Sequence, residues 1–151
     1  MRKDVTKKMI SNFHLTQLGI DFMGYTFERE CDLSFHHLLV PKKLCKLRGF
    51  GDGYEEWNAC ILVRDTAHDY LHFVEKYDRN KFNDITYEMI KEKEKGELVL
   101  KNILKIDYIL SRFEDEYEDL YNSDYKARPL KDKYLDRNVE LVEKRLRKYR
   151  K

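Results

Sequence analysis

The sequence has few of the residues that cross-link a small secreted protein. Only three of its 151 residues are cysteines, Cys31, Cys45 and Cys60, and no two of them form a C-x-x-C pair. An odd number of cysteines without such pairs argues against a disulfide framework and against a four-cysteine zinc site. We therefore expect a reducing, cytoplasmic compartment.

Long apolar runs are also missing. The longest, such as residues 59–63, have about five residues, whereas a membrane span needs about 20. The basic N-terminus is followed by no apolar segment, so we expect neither secretion nor membrane insertion. The chain is 42% hydrophobic and 13% aromatic, which is enough for the core of one domain despite 38% charged residues.

Short extended segments and loops are predicted in the first half of the chain. Residues 20–27 are apolar and aromatic with two glycines, and residues 31–35 are a second short extended candidate, which predicts a hairpin over 20–35. Residues 42–58 read as a loop, and 60–63 as a strand. Asp65 and Thr66 are suitable N-cap residues for a helix over 67–76. The predicted order is strand, loop, strand, helix.

The second half has a helical period. One helix is predicted from about residue 80 to Gly96, and two heptad-like apolar repeats follow it. Packing of these two helices on each other or on the core is the favoured interpretation, and dimerisation is the alternative. The first repeat is Val99, Ile103, Ile106, Leu110, Phe113, Tyr117 and Leu120; the second is Leu135, Val139, Val142, Leu146 and Tyr149.

The net charge of +2 hides two blocks of opposite sign. Residues 106–124 contain seven acids and one arginine, a net of −6, whereas residues 126–151 have a net of +7. The basic block either contacts phosphates or forms a solvated helix end, whose positive charge suits the helix dipole.

Four of the five histidines lie between residues 36 and 72. His68 and His72 are one turn apart on the predicted helix, so both can bind one metal ion. His36, at the end of an extended segment, can supply a third ligand if the helix packs across the strands. Three imidazoles and one open position are typical of a catalytic transition-metal site.

His37 has no place in a purely structural metal site. Because neighbouring side chains of a strand point to opposite faces, His37 is free to face a substrate when His36 faces the metal. A neutral imidazole is suited to remove a proton from water. The amide of Asn58 can hydrogen-bond the loop after His37 and hold that imidazole in place.

Together these residues resemble the signature of the HNH nucleases, in the version with two histidines at each end. The resemblance extends over roughly residues 20–77, and the run 33–96 looks like short HNH proteins common in bacterial and phage genomes. The spacings from Asn58 to His68 and from His37 to Pro41 are each about one residue longer than in familiar members, and paired C-x-x-C knuckles are missing. The matching segments are FHHLLVP (35–41), WNACILV (57–63) and HDYLH (68–72).

The resemblance implies an α+β chain with a ββα-metal core in residues 1–78 and a helical extension in residues 79–151. It implies hydrolysis of phosphodiester bonds in nucleic acid, with DNA as the expected substrate. One divalent ion (Mg, Mn, Ni or Zn) would be bound by His36, His68 and His72 and would stabilise the leaving oxygen. His37 would be the general base, and Asn58 would orient it.

The segment after the histidine pair is basic. Four cations in the predicted loop, Lys42, Lys43, Lys46 and Arg48, suit a phosphate-rich ligand. Trp57 and Tyr54 could stack on bases, but the favoured interpretation of Trp57 is a core residue that closes this loop.

A second hypothesis gives the chain a different kind of function. It would be a non-catalytic module derived from the HNH scaffold that binds nucleic acid or a protein through its helical half, as an inhibitor or regulator. The heptad-like repeats and the opposed charge blocks support this hypothesis, which includes a homodimer through the C-terminal helices.

Overall fold

The computed structural model describes residues 2–119 and residues 143, 144 and 147. Over these residues the chain is α+β, with six helices and one two-stranded antiparallel sheet. The second apolar repeat and most of the basic tail lie outside the described residues. The elements are α1 (Arg2–Asn12), α2 (Leu15–Leu18), β1 (Leu33–His37), α3 (Lys42–Arg48), β2 (Ala59–Val63), α4 (Asp69–Tyr77), α5 (Arg79–Lys95) and α6 (Leu100–Glu116).

In the sheet, β1 pairs with β2, whereas the sequence predicted that residues 31–35 would pair with residues 20–27. Leu33 lies opposite Val63, and His37 lies opposite Ala59. The predicted hairpin over 20–35 is therefore wrong, because residues 20–27 form a tight loop with one isolated bridge from Ile20 to Thr26. Every residue of β2 is buried, as its continuous apolar sequence predicts.

Asp21 explains why residues 20–27 form a loop. Its side chain is fully buried and accepts hydrogen bonds from the amides of Met23, Tyr25 and Val63, each at 2.9 Å. These bonds curl the segment around the carboxyl group and attach it to the end of β2. Burial raises the pKa of Asp21 to about 7, although the three amides act in the opposite direction.

The predicted loop over 42–58 contains a helix. Pro41 precedes α3, where its missing amide hydrogen costs no helical bond. Gly49 ends α3 with a φ of 71°, a left-handed conformation that favours glycine. Cys45 is the buried residue of α3, so this helix lies almost entirely on the surface. Because it buries no continuous apolar face, the spacing of apolar residues could not predict the helix.

The helix after β2 begins with a wide turn. Arg64–His68 is a π-helical turn that continues into α4, so Asp65 and Thr66 lie inside the helical segment and do not cap it. His68 already has helical angles, φ −64° and ψ −47°. The expected cap is wrong, but the helical placement of His68 and His72 is right.

The last two described helices share one core with the sheet. Asp78 caps α5 by accepting a hydrogen bond from the amide of Lys81 at 3.2 Å, and Gly96 ends it, as predicted. Ile103, Ile106, Leu110 and Phe113 of α6 are fully buried, and α6 contacts α5. The part of the first apolar repeat that lies in α6 therefore packs on the core, as the favoured interpretation expects, whereas Leu120 lies outside the described residues.

Among the described residues, no helix combines the length and the apolar composition that crossing a bilayer requires.

Candidate metal centre

Three imidazoles converge where β1 meets the helical segment. His36 comes from β1, His68 ends the π-helical turn, and His72 lies one turn further along α4. The ring centroid of His36 lies 5.1 Å from that of His68 and 5.5 Å from that of His72. The centroids of His68 and His72 are 4.9 Å apart. One nitrogen from each ring lies within 4.8 Å of the other two. The structure thus brings together all three residues predicted as ligands.

The hydrogen bonds of His68 fix which of its nitrogens is free. Ser34 Oγ donates to the carbonyl oxygen of Leu62 at 3.0 Å and lies 2.9 Å from His68 Nδ1. Because the hydroxyl has one hydrogen, which Leu62 receives, it must accept from His68 Nδ1. His68 Nε2 is therefore a bare lone pair that faces the cluster.

His72 is oriented by a carboxylate. Its Nδ1 lies 3.0 Å from Glu75 Oε1, and Glu75 Oε2 accepts from Arg79 at 2.9 Å. A carboxylate of this kind accepts the Nδ1 proton, which leaves Nε2 available as a ligand. The side chain of His72 is 53% exposed, so this side of the cluster is open to solvent.

His36 is the buried member, with 2% of its surface exposed. Burial, with help from the neighbouring imidazoles, holds the pKa of His36 well below its usual value, so the ring is neutral. Its Nδ1 lies 3.3 Å from His68 Nε2, and because the latter is a lone pair, His36 Nδ1 must be the donor of any hydrogen bond between them. His36 Nε2 is then a buried lone pair, and it has no partner among the described residues.

The residues present fit a metal ion. A buried nitrogen without a donor costs free energy that a bound cation would recover. One nitrogen of each ring lies within 4.8 Å of the other two, so three neutral imidazoles can share one ion. An all-imidazole donor set suits zinc, nickel or another borderline transition metal better than magnesium.

His37 packs on the opposite side of β1, as the alternation of the strand predicts. Its ring lies 5.0 Å from the ring of Phe35 and 4.8 Å from that of Tyr54. A β-carbon at Gly53, which has a φ of 89°, would lie 3.2 Å from His37 Cδ2, so glycine allows this close approach. Burial, followed by the charge of Lys42, lowers the pKa of His37.

All four histidines nevertheless line one cavity of about 310 Å³. His37 and Lys42 form one part of its wall, and α5 closes another part with Arg79, Asn83 and Thr86. The spacing of these α5 residues places them on one face of that helix. The cavity therefore joins a possible metal position to a separate neutral imidazole.

Asn58 holds the loop that follows His37. The amide is fully buried, and its Oδ1 accepts from the amides of Leu39 and Val40 at 2.8 and 2.9 Å. Its Nδ2 donates to the carbonyl oxygens of Val40 and Gly53 at 2.7 and 3.1 Å. Asn58 therefore makes hydrogen bonds to the backbone of the loop after His37, as predicted from its position in the sequence.

The basic residues of the predicted loop lie on α3. Lys42 lines the cavity, and its ammonium lies 5.1 Å from the centroid of the Tyr54 ring. Lys43, Lys46 and Arg48 are exposed on the helix. Trp57 is 42% exposed, so its interpretation as a core residue is wrong. The buried residue at the end of this segment is the neighbouring Asn58, whose polar side chain closes the loop.

The residues that orient the ligands were not predicted from the sequence. Glu75 follows His72 by three positions, so its helical spacing could have indicated the contact. Ser34 offers no such signal, because its contact with His68 depends on how the π-helical turn packs on β1. Arg79, Asn83 and Thr86 belong to the half of the chain that was not expected to contribute to the site.

Searches with protein-family models, among curated proteins and among solved structures found no match to this chain.

Proposed function

We propose that this chain is a metal-dependent phosphodiesterase of the HNH type that cleaves nucleic acid, with DNA as its substrate. The observation that supports this proposal is the arrangement of four imidazoles around one cavity. Three of them converge within ligand distance of one another, and the fourth, His37, shares the cavity but packs on the other side of its strand. A structural metal site needs the first three and has no use for the fourth.

The order of the elements supports the same proposal. Two antiparallel strands followed by a helix, with ligands on the first strand and on the helix, is compatible with a ββα-metal core. The longer spacing between Asn58 and His68 coincides with the π-helical turn Arg64–His68, and such a turn holds about one more residue than an α-helical turn. The extra residue is thus absorbed before His68, and the pair His68 and His72 keeps its orientation.

The residues divide the chemistry among them. A divalent ion held by His36, His68 and His72 would supply positive charge for the scissile phosphate and for the leaving oxygen. His37 accepts a proton from the attacking water. Its Nε2 is buried against Gly53, so in this ring orientation Nδ1 is the nitrogen left to accept that proton. Asn58 fixes the loop after His37 through Val40 and Gly53, and Gly53 lies against the His37 ring.

Cleavage of supercoiled plasmid tests the proposal. The wild type is expected to nick or linearise the plasmid with Zn, Ni, Mn or Mg, and His37→Ala is expected to lower the rate by about 10²- to 10⁴-fold while the metal content stays unchanged. His14→Asn is the matched control, because it changes the histidine outside the cluster and asparagine tolerates the φ of 56° at that position. If the wild type and His37→Ala are equally inert on duplex, single-stranded and RNA substrates while still binding metal, the enzyme proposal fails.

Metal content tests the ligand set separately. His68→Ala and His72→Ala should each lose bound zinc or nickel in calorimetric titration, whereas His37→Ala should retain it. Unchanged binding in both ligand variants would remove these residues from the proposed site.

The alternative of an interaction module now has less support. Four residues of the first apolar repeat, which suggested a partner helix, are buried in the core on α6, beside α5: Ile103, Ile106, Leu110 and Phe113. The phosphodiesterase proposal gives His37 a role, whereas the interaction hypothesis leaves it without one; the hydrogen bonds of Asn58 stabilise the loop under either hypothesis.

A further inference from the structure

A second cavity, of about 590 Å³, lies between α1 and β1. We call it the α1 groove. Apolar side chains, including Ile10, Leu33 and Phe35, form part of its lining, and the cations are Arg2, Lys3, Lys7 and Arg64. Among the described residues, Glu30 is the acidic side chain that lines it. The α1 groove thus combines apolar surface with a strong excess of positive charge.

The helical period of α1 produces this charge distribution. Lys3, Thr6, Lys7 and Ile10 all line the groove, and their spacing of three and four places them on one face of the helix. Lys8 does not line the groove and instead pairs with Glu56 at 2.9 Å. Two adjacent lysines of the same helix therefore have different surroundings.

The α1 groove reaches the candidate metal centre. His68 lines both the groove and the smaller histidine cavity, and Ser34, its hydrogen-bond partner, also lines the groove. Tyr54 lines the groove as well, and its ring lies 4.8 Å from that of His37. The guanidinium of Arg2 lies 5.4 Å from the Tyr54 ring centroid. Only single side chains, such as those of His68 and Tyr54, therefore lie between the α1 groove and the histidines of the candidate site.

We infer that the α1 groove binds the backbone of the nucleic-acid strand next to the phosphate that lies at the histidine cluster. This inference rests on the proposed function. Cations arranged along one wall are suited to consecutive phosphates, and the half-buried ring of Tyr54 and the apolar surface are suited to a sugar or a base. A volume of about 590 Å³ falls within the range of sites for ligands of nucleotide size.

Equilibrium binding without catalysis tests this inference. A short fluorescein-labelled DNA oligonucleotide, single-stranded or duplex, is titrated with protein in EDTA and followed by anisotropy. Lys3→Gln/Lys7→Gln is expected to weaken binding about tenfold at low salt and to reduce the slope of log K against log salt by about 1.4 to 1.8, since each phosphate contact contributes about 0.7 to 0.9. Lys8→Gln/Lys95→Gln is the charge-matched control, and it should behave like the wild type.

The exposed thiol of Cys31 offers an independent measurement. Cys31 lines the α1 groove, whereas Cys45 and Cys60 are buried. The oligonucleotide should slow the reaction of Cys31 with iodoacetamide at least fivefold, and Cys31→Ser should remove the labelled site. No charge is changed in this experiment, so protection reports occupation of the groove itself.

The outcomes separate this inference from the proposed function. If the two double variants bind equally and the oligonucleotide does not protect Cys31, the groove inference is wrong, even when the wild type cleaves plasmid. If the groove variant binds weakly and Cys31 is protected but no metal supports cleavage, the groove inference stands and the phosphodiesterase proposal fails. Absence of any binding by the wild type overturns the groove inference.

Discussion

Replacing Asn58 with alanine should destabilise the folded protein more than any other change to the loop after His37. The substitution removes four hydrogen bonds to the backbone, two accepted and two donated by one buried amide. It leaves the amides of Leu39 and Val40 and the carbonyl oxygens of Val40 and Gly53 without this partner.

The magnitude follows from the surroundings of those four groups. A typical hydrogen bond contributes about 1 kcal/mol net, and a group left buried without a partner costs about 1 to 3 kcal/mol. Leu39 is 51% exposed, so water can replace part of what is lost there, whereas Gly53 is buried. We therefore expect Asn58→Ala to lower the free energy of unfolding by about 3 to 4 kcal/mol.

Urea denaturation of the metal-free protein measures this loss. Asn83→Ala is the control, because Asn83 is exposed and its change should stay within about 0.5 kcal/mol. Asn58→Asp adds a second comparison: the acceptor remains, but a carboxylate oxygen would face two carbonyl oxygens, so stability should fall at neutral pH and partly recover in acid. A loss below about 1 kcal/mol for Asn58→Ala would refute the role given to this amide.

Three other predictions concern charge, ligand orientation and backbone shape. The folded-state pKa of Asp21 is raised from 3.8 to about 7. Its contribution to the free energy of unfolding is therefore fully present below about pH 4. As the pH rises to 7, that free energy falls by up to about 4 kcal/mol. Urea midpoints across this range should fall, and Asp21→Asn should flatten the trend. Glu75→Gln, which weakens the acceptor of His72 Nδ1, should lower metal affinity about 10- to 100-fold in calorimetric titration, as is usual for groups that orient a ligand. Gly53→Ala places a β-carbon 3.2 Å from the His37 ring at a φ of 89°, so it should slow plasmid cleavage without changing metal content.

Local patterns in the sequence were sufficient to predict the structure where all the residues that determine it lie within one element. The apolar run of β2, the glycine that ends α5 and the apolar repeat of α6 each report burial or chain reversal at their own positions. The same holds for His68 and His72, whose spacing on a helix places them together wherever that helix packs.

Contacts between distant segments account for what could not be predicted. Residues 20–27 have the composition of a strand, but the carboxyl group of Asp21 binds the amide of Val63, 42 positions away, and this bond requires a loop. Trp57 looks like a core residue because of its size, whereas the adjacent Asn58 is buried because the backbone after His37 needs its hydrogen bonds. Nothing in the local sequence pattern indicates that the side chain of Asn58, and not that of Trp57, is the buried one.

The N-terminal helix illustrates a different limit. Met9 and Ile10 are its buried residues, and most of the remaining side chains are charged or polar, so its apolar period is weak. Its contacts with β1 and β2 place its cations beside the site, and only the tertiary structure shows this arrangement.

Contacts made entirely by protein atoms hold the three converging imidazoles. Ser34 holds His68, Glu75 holds His72, and His36 is enclosed by its neighbours, with the Phe82 ring centroid 6.4 Å from its own. In small zinc domains the ion assembles its ligands and drives folding, so a chelator denatures them. Since none of these contacts needs an ion, we expect the imidazoles to be arranged when the chain folds. An ion should therefore enter and leave a finished site, and chelation should yield an inactive protein that remains folded and can be reloaded.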